Sequence, residues 1–145
     1  MAIPIRTIDH VVIMTEDIER AIKFYCGVLG GNARYLERFR DGTLPVLPIE
    51  LGQAVVNLQR LDNPAYIVAN RLVSGGVDVC FRWGGTIAEA EQFLTAAGVE
   101  VIEGPVPRSA ADGIWGKSVY FRDPDGNLLE FLSTAERSEP LVDDP

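Results

Sequence analysis

The chain has 145 residues, 47% of them hydrophobic, and 13 basic residues against 21 acidic ones give it a formal net charge of −8. This length and composition predict a globular protein of one domain, or of two small halves that share a core. The acidic balance argues against nucleic acid as a partner, because phosphate binding needs clustered Lys and Arg. No apolar run approaches the roughly 20 residues that cross a bilayer, and no signal-like segment is visible, so we expect a cytoplasmic protein without a membrane partner.

The sequence contains a single histidine, His10, and two cysteines. One subunit therefore cannot supply an iron site of two histidines and a carboxylate, or a zinc site of three histidines. Two cysteines are also too few for a disulfide framework. These counts allow at most one imidazole in any metal site built from a single subunit.

The first half of the chain predicts a strand, a helix and three further strands. β-Branched residues dominate segment 5–14, which we expect to be a strand that ends where Thr15 begins a helix. Apolar residues at helical spacing continue this helix to the glycine pair at 30–31. Three short segments separated by glycine-containing turns predict an antiparallel meander, namely 33–40, 44–51 and 54–60.

The second half repeats this order. Segment 76–83 predicts a strand, and Thr86 followed by Glu89 forms a capping box for a helix that ends at Gly98. Three further strands are predicted at 99–103, 117–122 and 127–133. The first two are separated by a loop rich in Gly and Pro, 104–116, and the last two by a tight turn, 123–126.

The recurrence of the elements indicates a duplicated βαβββ module within one α+β domain over residues 1–133. When the halves are superposed, Tyr25 falls on Phe93 and Gly30 on Gly98. We expect the first module at about 5–60, a linker at 61–75 and the second module at about 76–133. The acidic tail, 134–145, is expected to be disordered.

Three residues are candidate metal ligands if the first and last strands of the modules face a common cleft. His10 lies in the first predicted strand, Asp78 begins the equivalent strand of the second module, and Glu130 interrupts an otherwise apolar last strand. An ionised carboxylate in such a strand requires a cation, a partner or a solvent-facing edge. One imidazole and two carboxylates suit a divalent ion such as Zn, Ni, Mn, Co or Mg. The fourth symmetric position is Gln59 or Asn57.

The motifs of the chain resemble the vicinal oxygen chelate superfamily, which includes glyoxalase I, extradiol dioxygenases, and fosfomycin- and bleomycin-resistance proteins. The resemblance covers about residues 5–133 and is carried by segments 8–12, 17–21, 24–25 and 28–30 together with the last and most specific one, 122–131. Further segments are similar to glyoxalase domain-containing protein 5 and its bacterial relatives, namely 78–81, 103–106, Arg108 and 118–120.

The resemblance implies paired modules that form an incomplete barrel around a divalent metal, in a homodimer whose site involves both subunits. His10 matches the family's first-strand histidine and Glu130 its last-strand glutamate, whereas Asp78 stands where another histidine is usual. The implied function is that of a lyase or isomerase acting on a small molecule with vicinal oxygens, with Glu130 as both ligand and catalytic base. The alternative is a metal-free binding protein of the bleomycin-resistance type. Ring-cleaving dioxygenase activity is disfavoured because it requires two histidines.

Substrate contacts are expected from segment 104–116, which we predict to be a mobile lid. Arg108 suits a carboxylate or phosphate, Trp115 an apolar part of the substrate, and Tyr120 a wall of the cleft. A solvated arginine and a packing tryptophan remain the alternatives for the first two. The turn at 123–126 is assigned no chemistry.

Overall fold

The computed structural model describes residues 3–138, which divide into two compact units at the boundary between Gly75 and Gly76. Most of the predicted acidic tail, residues 139–145, lies outside the described residues. None of the helices within residues 3–138 is long and apolar enough to cross a membrane. Each unit contains one open four-stranded mixed sheet and few helices, which confirms the predicted α+β fold of glyoxalase type.

The sheet of the first unit has the strand order β1-β4-β3-β2. Its strands are β1 (Val11–Thr15), β2 (Asn32–Ala33), β3 (Leu47–Leu51) and β4 (Ala54–Arg60). β1 is parallel to β4, and the other pairs are antiparallel. The predicted first strand was too long, because residues 3–10 form no strand and pairing begins at Val11 opposite Val56.

The first helix, α1 (Ile18–Ile22), continues as a π-helical segment, Lys23–Val28. Its N-cap is Asp17, whose carboxylate accepts the Arg20 N–H at 3.1 Å, and not Thr15 as predicted. The Thr15 hydroxyl instead accepts the Asp17 N–H at 3.1 Å, so both residues shape the turn before the helix.

The predicted strand 33–40 was wrong, because its second part forms a short helix, α2 (Leu36–Arg40). Leu, Glu and Arg favour a helix intrinsically, and this helix buries Phe39 to 5% exposure. Only Asn32–Ala33 remains as a strand opposite β3.

The sheet of the second unit has the order β5-β8-β7-β6. Its strands are β5 (Asp78–Arg82), β6 (Glu103–Ser109), β7 (Trp115–Arg122) and β8 (Leu128–Ser133). β5 is parallel to β8, and the other pairs are antiparallel. One face of this sheet packs against α3 (Ile87–Ala96), whose N-cap hydroxyl on Thr86 accepts the Glu89 N–H at 3.2 Å, as the capping box predicts.

The predicted strand 99–103 and the predicted lid 104–116 were both wrong. Residues 99–102 are irregular. Residues 104–109 of the predicted lid lie in β6, which pairs with β7 from Glu103 opposite Tyr120 to Ser109 opposite Trp115, and only residues 110–114 form a loop between the two strands. Prolines at positions 105 and 107 suggested a loop, but an edge strand tolerates proline because one row of its N–H groups has no ladder partner. The segment is therefore part of the sheet and not a flap over it.

The predicted turn at 123–126 is confirmed, and its side chains are structural. Asn127, which is 1% exposed, donates to the Asp123 carboxylate at 2.8 Å and accepts the Val77 N–H at 2.9 Å. The Asp123 carboxylate also accepts the Asn127 N–H at 3.0 Å. The turn thereby fixes the beginning of β5 beside β8.

Candidate active site on the second sheet

Glu130 occupies the middle of β8, where its register partners are Cys80 on β5 and Tyr120 on β7. Register partners on adjacent strands project to the same side of a sheet. The neighbours of Glu130 along the strand, Leu129 and Phe131, are buried with the core that includes α3. The alternation of β8 thus places this half-buried carboxylate on the opposite side, called here the site face: the face of the second sheet that carries Cys80, Tyr120 and Glu130.

Arg108 of β6 reaches along the site face to Tyr120. Its Nε donates to the Tyr120 hydroxyl at 2.9 Å, and its Nη1 donates to the Pro107 carbonyl at 2.7 Å. The guanidinium carbon lies 5.6 Å from the centre of the Tyr120 ring. These contacts hold a half-buried cation in one orientation.

Tyr120 lies between this cation and Glu130, because it is bonded to Arg108 and is the register partner of Glu130. Because a guanidinium only donates, the hydroxyl is the acceptor in its bond with Arg108. Burial raises the pKa of Tyr120, and Glu130 raises it further through charge and hydrogen bonding, whereas Arg108 lowers it. The phenol therefore stays protonated at neutral pH and serves as a hydrogen-bond donor.

The Cys80 thiol lies beside the same carboxylate. Burial, followed by the charge and hydrogen bonding of Glu130, raises the pKa of Cys80 to about 12. A thiol with this pKa is a poor nucleophile, because the thiolate is the reactive form. Cys80 therefore contributes a neutral side chain to the site.

A cavity of about 360 Å³ opens on the site face. Its walls include Glu130, Tyr120, Arg108 and a second arginine, Arg82, together with apolar side chains such as Leu132. Arg82 is absent from the predicted site. Alternation along β5 was the available signal, because it places residue 82 on the same face as Cys80.

The structure thus brings together three predicted site residues: Arg108, Tyr120 and Glu130. Asp78 is exposed at the start of β5, in register with Leu128, on the same face as Cys80 but two residues along the strand. Trp115 begins β7 opposite Ser109, and it is half-buried. It does not line the described cavity.

The other two predicted ligands belong to the first unit. His10 directly precedes β1, and its Nδ1 lies 2.7 Å from an Asp9 carboxylate oxygen. Since the carboxylate only accepts, Nδ1 is the donor in this contact. Gln59 is buried, and its side-chain oxygen accepts the Ala65 N–H at 3.2 Å, whereas Asn57 is in register with Val12.

Comparison with known families assigns residues 7–131 to the model of the glyoxalase/bleomycin resistance protein/dioxygenase superfamily. The chain belongs to this superfamily. The resemblance inferred from the motifs is therefore confirmed. A relative that is 35% identical over 123 residues is virulence protein STM3117 of Salmonella typhimurium, and the match covers 85% of this chain and 81% of that protein. Glyoxalase domain-containing protein RDO1 of Mycosarcoma maydis is 34% identical over 129 residues, 89% of this chain and 69% of that protein.

Solved structures share the fold. An integron cassette protein from the mobile metagenome of V. cholerae superposes with a TM-score of 0.82 at 32% identity, covering 93% of this chain and 100% of the other. Two structures of lower sequence identity share the fold alone. A lactoylglutathione lyase from Agrobacterium tumefaciens has a TM-score of 0.65 at 21% identity, and the match covers 93% of this chain and 100% of that one. The antibiotic-binding protein TnmS3 from a Streptomyces species has a TM-score of 0.66 at 20% identity, and the match covers 91% of this chain and 98% of that one.

Proposed function

We propose that the protein is a glyoxalase-type enzyme, a lyase or isomerase that acts on a small molecule with vicinal oxygens. The observation that carries this proposal is the position of Glu130, a half-buried carboxylate in the wall of a cavity, at the family's last-strand glutamate position. The fold is shared with a lactoylglutathione lyase, which supports chemistry of this class.

In this proposal Glu130 moves the proton. A carboxylate within hydrogen-bond reach removes a proton from the carbon beside a substrate oxygen and returns it to the neighbouring carbon. Tyr120, the register partner of Glu130 on β7, places its phenol in the same cavity wall as the carboxylate. Because Cys80 stays protonated, it neither competes for the proton nor attacks the substrate.

We further propose His10, Asp78 and Glu130 as ligands of a divalent cation. Each is a residue type that ligates divalent ions, since His10 contacts Asp9 through Nδ1 and both carboxylates offer oxygens. Residues 3–138 nevertheless contain no group of three or more such side chains arranged to hold a metal. Gln59 fits less well, since its side-chain oxygen already accepts a backbone N–H. When bound, such a cation supplies Lewis-acid polarisation of the vicinal oxygens.

The decisive experiment measures metal content, metal-dependent stability and turnover on one preparation. Elemental analysis and thermal unfolding with Ni, Co, Zn, Mn and Mg test the cation, and a panel of hydroxycarbonyl and dicarbonyl compounds tests the reaction. Glu130→Gln is expected to reduce turnover by about a hundredfold or more, the range of a general base. Glu100→Gln, which removes an exposed carboxylate elsewhere on the same unit, is the matched control. Equal activity of the two variants would overturn the catalytic role of Glu130.

A second candidate function is metal-free binding of a small molecule. Two observations favour it: the engaged side chain of Gln59, and the lack, among residues 3–138, of any group of three or more His, Cys, Asp or Glu arranged to hold a metal. The fold is also that of an antibiotic-binding protein. A His10→Ala variant with unchanged metal content and unchanged ligand affinity would favour this candidate. We propose a homodimer in either case, which sedimentation velocity tests.

A further inference from the structure

We propose that the ligand of the site-face cavity is a small oxyanion, in which a carboxylate, phosphate or phosphonate group is bound by Arg108 and Arg82. The assignment of this ligand as a substrate rests on the proposed function. The binding step itself does not, because it follows from the side chains that line the cavity.

The first argument is the charge of the cavity wall. The net charge of the chain is −8, yet this cavity contains two guanidinium groups and a single carboxylate, Glu130. The wall also contains Cys80 and Tyr120, a thiol and a phenol whose ordinary pKa values lie above neutral pH. The remaining wall is contributed largely by Ala110, Ala111 and Leu132, which add no charge.

The second argument is the preorganisation of Arg108. Its bonds to the Tyr120 hydroxyl and the Pro107 carbonyl, and its position against the Tyr120 ring, fix a half-buried guanidinium before a ligand arrives. An immobilised side chain does not have to be ordered on binding, so the affinity of its charge-assisted hydrogen bonds is retained. A planar guanidinium matches the oxygens of a carboxylate or phosphate.

The third argument is the position of Arg82 on the same wall. Its Nη2 donates to the Thr134 hydroxyl at 2.7 Å and to the Asp112 carboxylate at 3.3 Å. Both members of the Asp112 pair are nearly half exposed, so solvent screens their interaction and leaves Arg82 able to attract an anion. Arg82 therefore adds a second cation to the wall that contains Arg108.

The size of the cavity restricts the ligand further. A volume of about 360 Å³ lies near the lower end of the range for small-molecule sites. The ligand class is therefore a compact acid or phosphate ester whose vicinal oxygens lie close to the anionic group. Such a molecule places its reacting carbons beside Glu130 when its anionic end is held by Arg108.

The test compares matched ligands by isothermal titration calorimetry on the full chain. Glycerate is paired with glycerol, and dihydroxyacetone phosphate with dihydroxyacetone, so that each pair differs in the anionic group. We expect the anion of at least one pair to bind at least about tenfold more tightly, as hydrogen bonds to a charged group contribute. The pair that discriminates identifies a carboxylate or a phosphate, and equal affinities within both pairs would overturn the proposal.

Variants distinguish this proposal from the catalytic one. Arg108→Gln and Arg82→Gln are each expected to weaken binding of the discriminated anion, whereas Arg71→Gln, which removes an exposed arginine of the first unit, leaves it unchanged. Glu130→Gln is expected to keep or strengthen anion binding while turnover is lost. If the protein turns over a substrate but binds the anion and its neutral partner equally, this inference alone is contradicted. If it prefers the anion but Glu130→Gln does not reduce turnover, the catalytic proposal alone is contradicted. Thermal unfolding of each variant verifies that it is folded.

Discussion

The Arg108 guanidinium and the Tyr120 hydroxyl form one hydrogen-bonded unit, with Nε and the phenolic oxygen 2.9 Å apart. The hydroxyl accepts from Arg108, and Tyr120 is also the register partner of Glu130, so the three side chains share one cavity wall. The tyrosine thus lies between the proposed anion-binding group and the proposed catalytic carboxylate. Changes at Tyr120 are therefore expected to affect both binding and turnover.

Replacing Tyr120 with Phe retains the ring under the guanidinium but removes the hydroxyl. We expect anion affinity to fall several-fold and turnover to fall with it, since Arg108 loses a bond that orients it in the cavity that contains Glu130. Calorimetry and steady-state kinetics measure the two effects. Tyr66→Phe, at a fully accessible tyrosine in the irregular segment of the first unit, is the control and is expected to change neither. An unchanged affinity in Tyr120→Phe would contradict the orienting role.

Part of this arrangement is visible in the sequence, and part depends on strand register. The capping box at Thr86 and the last-strand glutamate, Glu130, are local patterns, so helix α3 and one site residue are predictable. The contact between Arg108 and Tyr120 depends on how β6 pairs with β7, and the prolines of β6 obscured that strand. Arg82 was missed because the sequence does not show which face of β5 lines the cavity, although alternation places residue 82 on the same face as Cys80.

The same limitation explains the two errors in the first unit. The helix α2 spans five residues, too few to show a helical period, and β-hairpin punctuation around it favoured a strand. Residues 3–10 have the composition of a strand, but the pairing with β4 begins only at Val11, opposite Val56. Local composition thus predicts the tendency to form a strand, and the presence of a neighbour decides where the strand begins.

The raised pKa of Cys80 predicts slow alkylation. At pH 8 the thiol is almost entirely protonated, so iodoacetamide is expected to modify Cys80 far more slowly than a free cysteine. Glu130→Gln removes a charge that raises the pKa of Cys80, and we expect it to accelerate the reaction. Peptide mapping by mass spectrometry separates Cys80 from Cys26. An identical rate in Glu130→Gln and Glu100→Gln would show that the carboxylate does not act on the thiol.

The same shifts predict a loss of stability at alkaline pH. Cys80 and Tyr120 both hold their protons more tightly in the folded state than in the unfolded chain. Their contribution is fully present below the unfolded values, and for Cys80 it is lost as pH rises from 9.0 to about 12. Denaturant unfolding between pH 7 and pH 11 is expected to show this decline. Cys80→Ala is expected to make the free energy of unfolding fall less steeply with pH. An unchanged pH dependence in this variant would contradict the contribution assigned to Cys80.

Asn127 is predicted to stabilise the fold and not to take part in the reaction. Asn127→Ala deprives the Val77 N–H of its acceptor and the Asp123 carboxylate of one of its donors in a buried turn, which we expect to cost about 3 kcal/mol. Chemical denaturation measures the loss, with the exposed Asn70→Ala as a control that is expected to change stability little. The folded fraction of Asn127→Ala should bind the preferred anion with wild-type affinity. Reduced affinity at full folding would instead give the turn a role in the site.

Thr86 tests the capping box at the start of α3. The Thr86 hydroxyl accepts the Glu89 N–H at 3.2 Å, so Thr86→Ala leaves that donor without its cap. The expected loss of unfolding free energy is about 1 kcal/mol. Thr95→Ala, an exposed position inside the same helix, is the matched control, and it is expected to be neutral or slightly stabilising because alanine is the better helix former. Equal effects of the two substitutions would mean that the hydroxyl of Thr86 does not cap the helix. Because α3 packs on the face opposite Glu130, neither substitution should alter anion affinity in the folded protein.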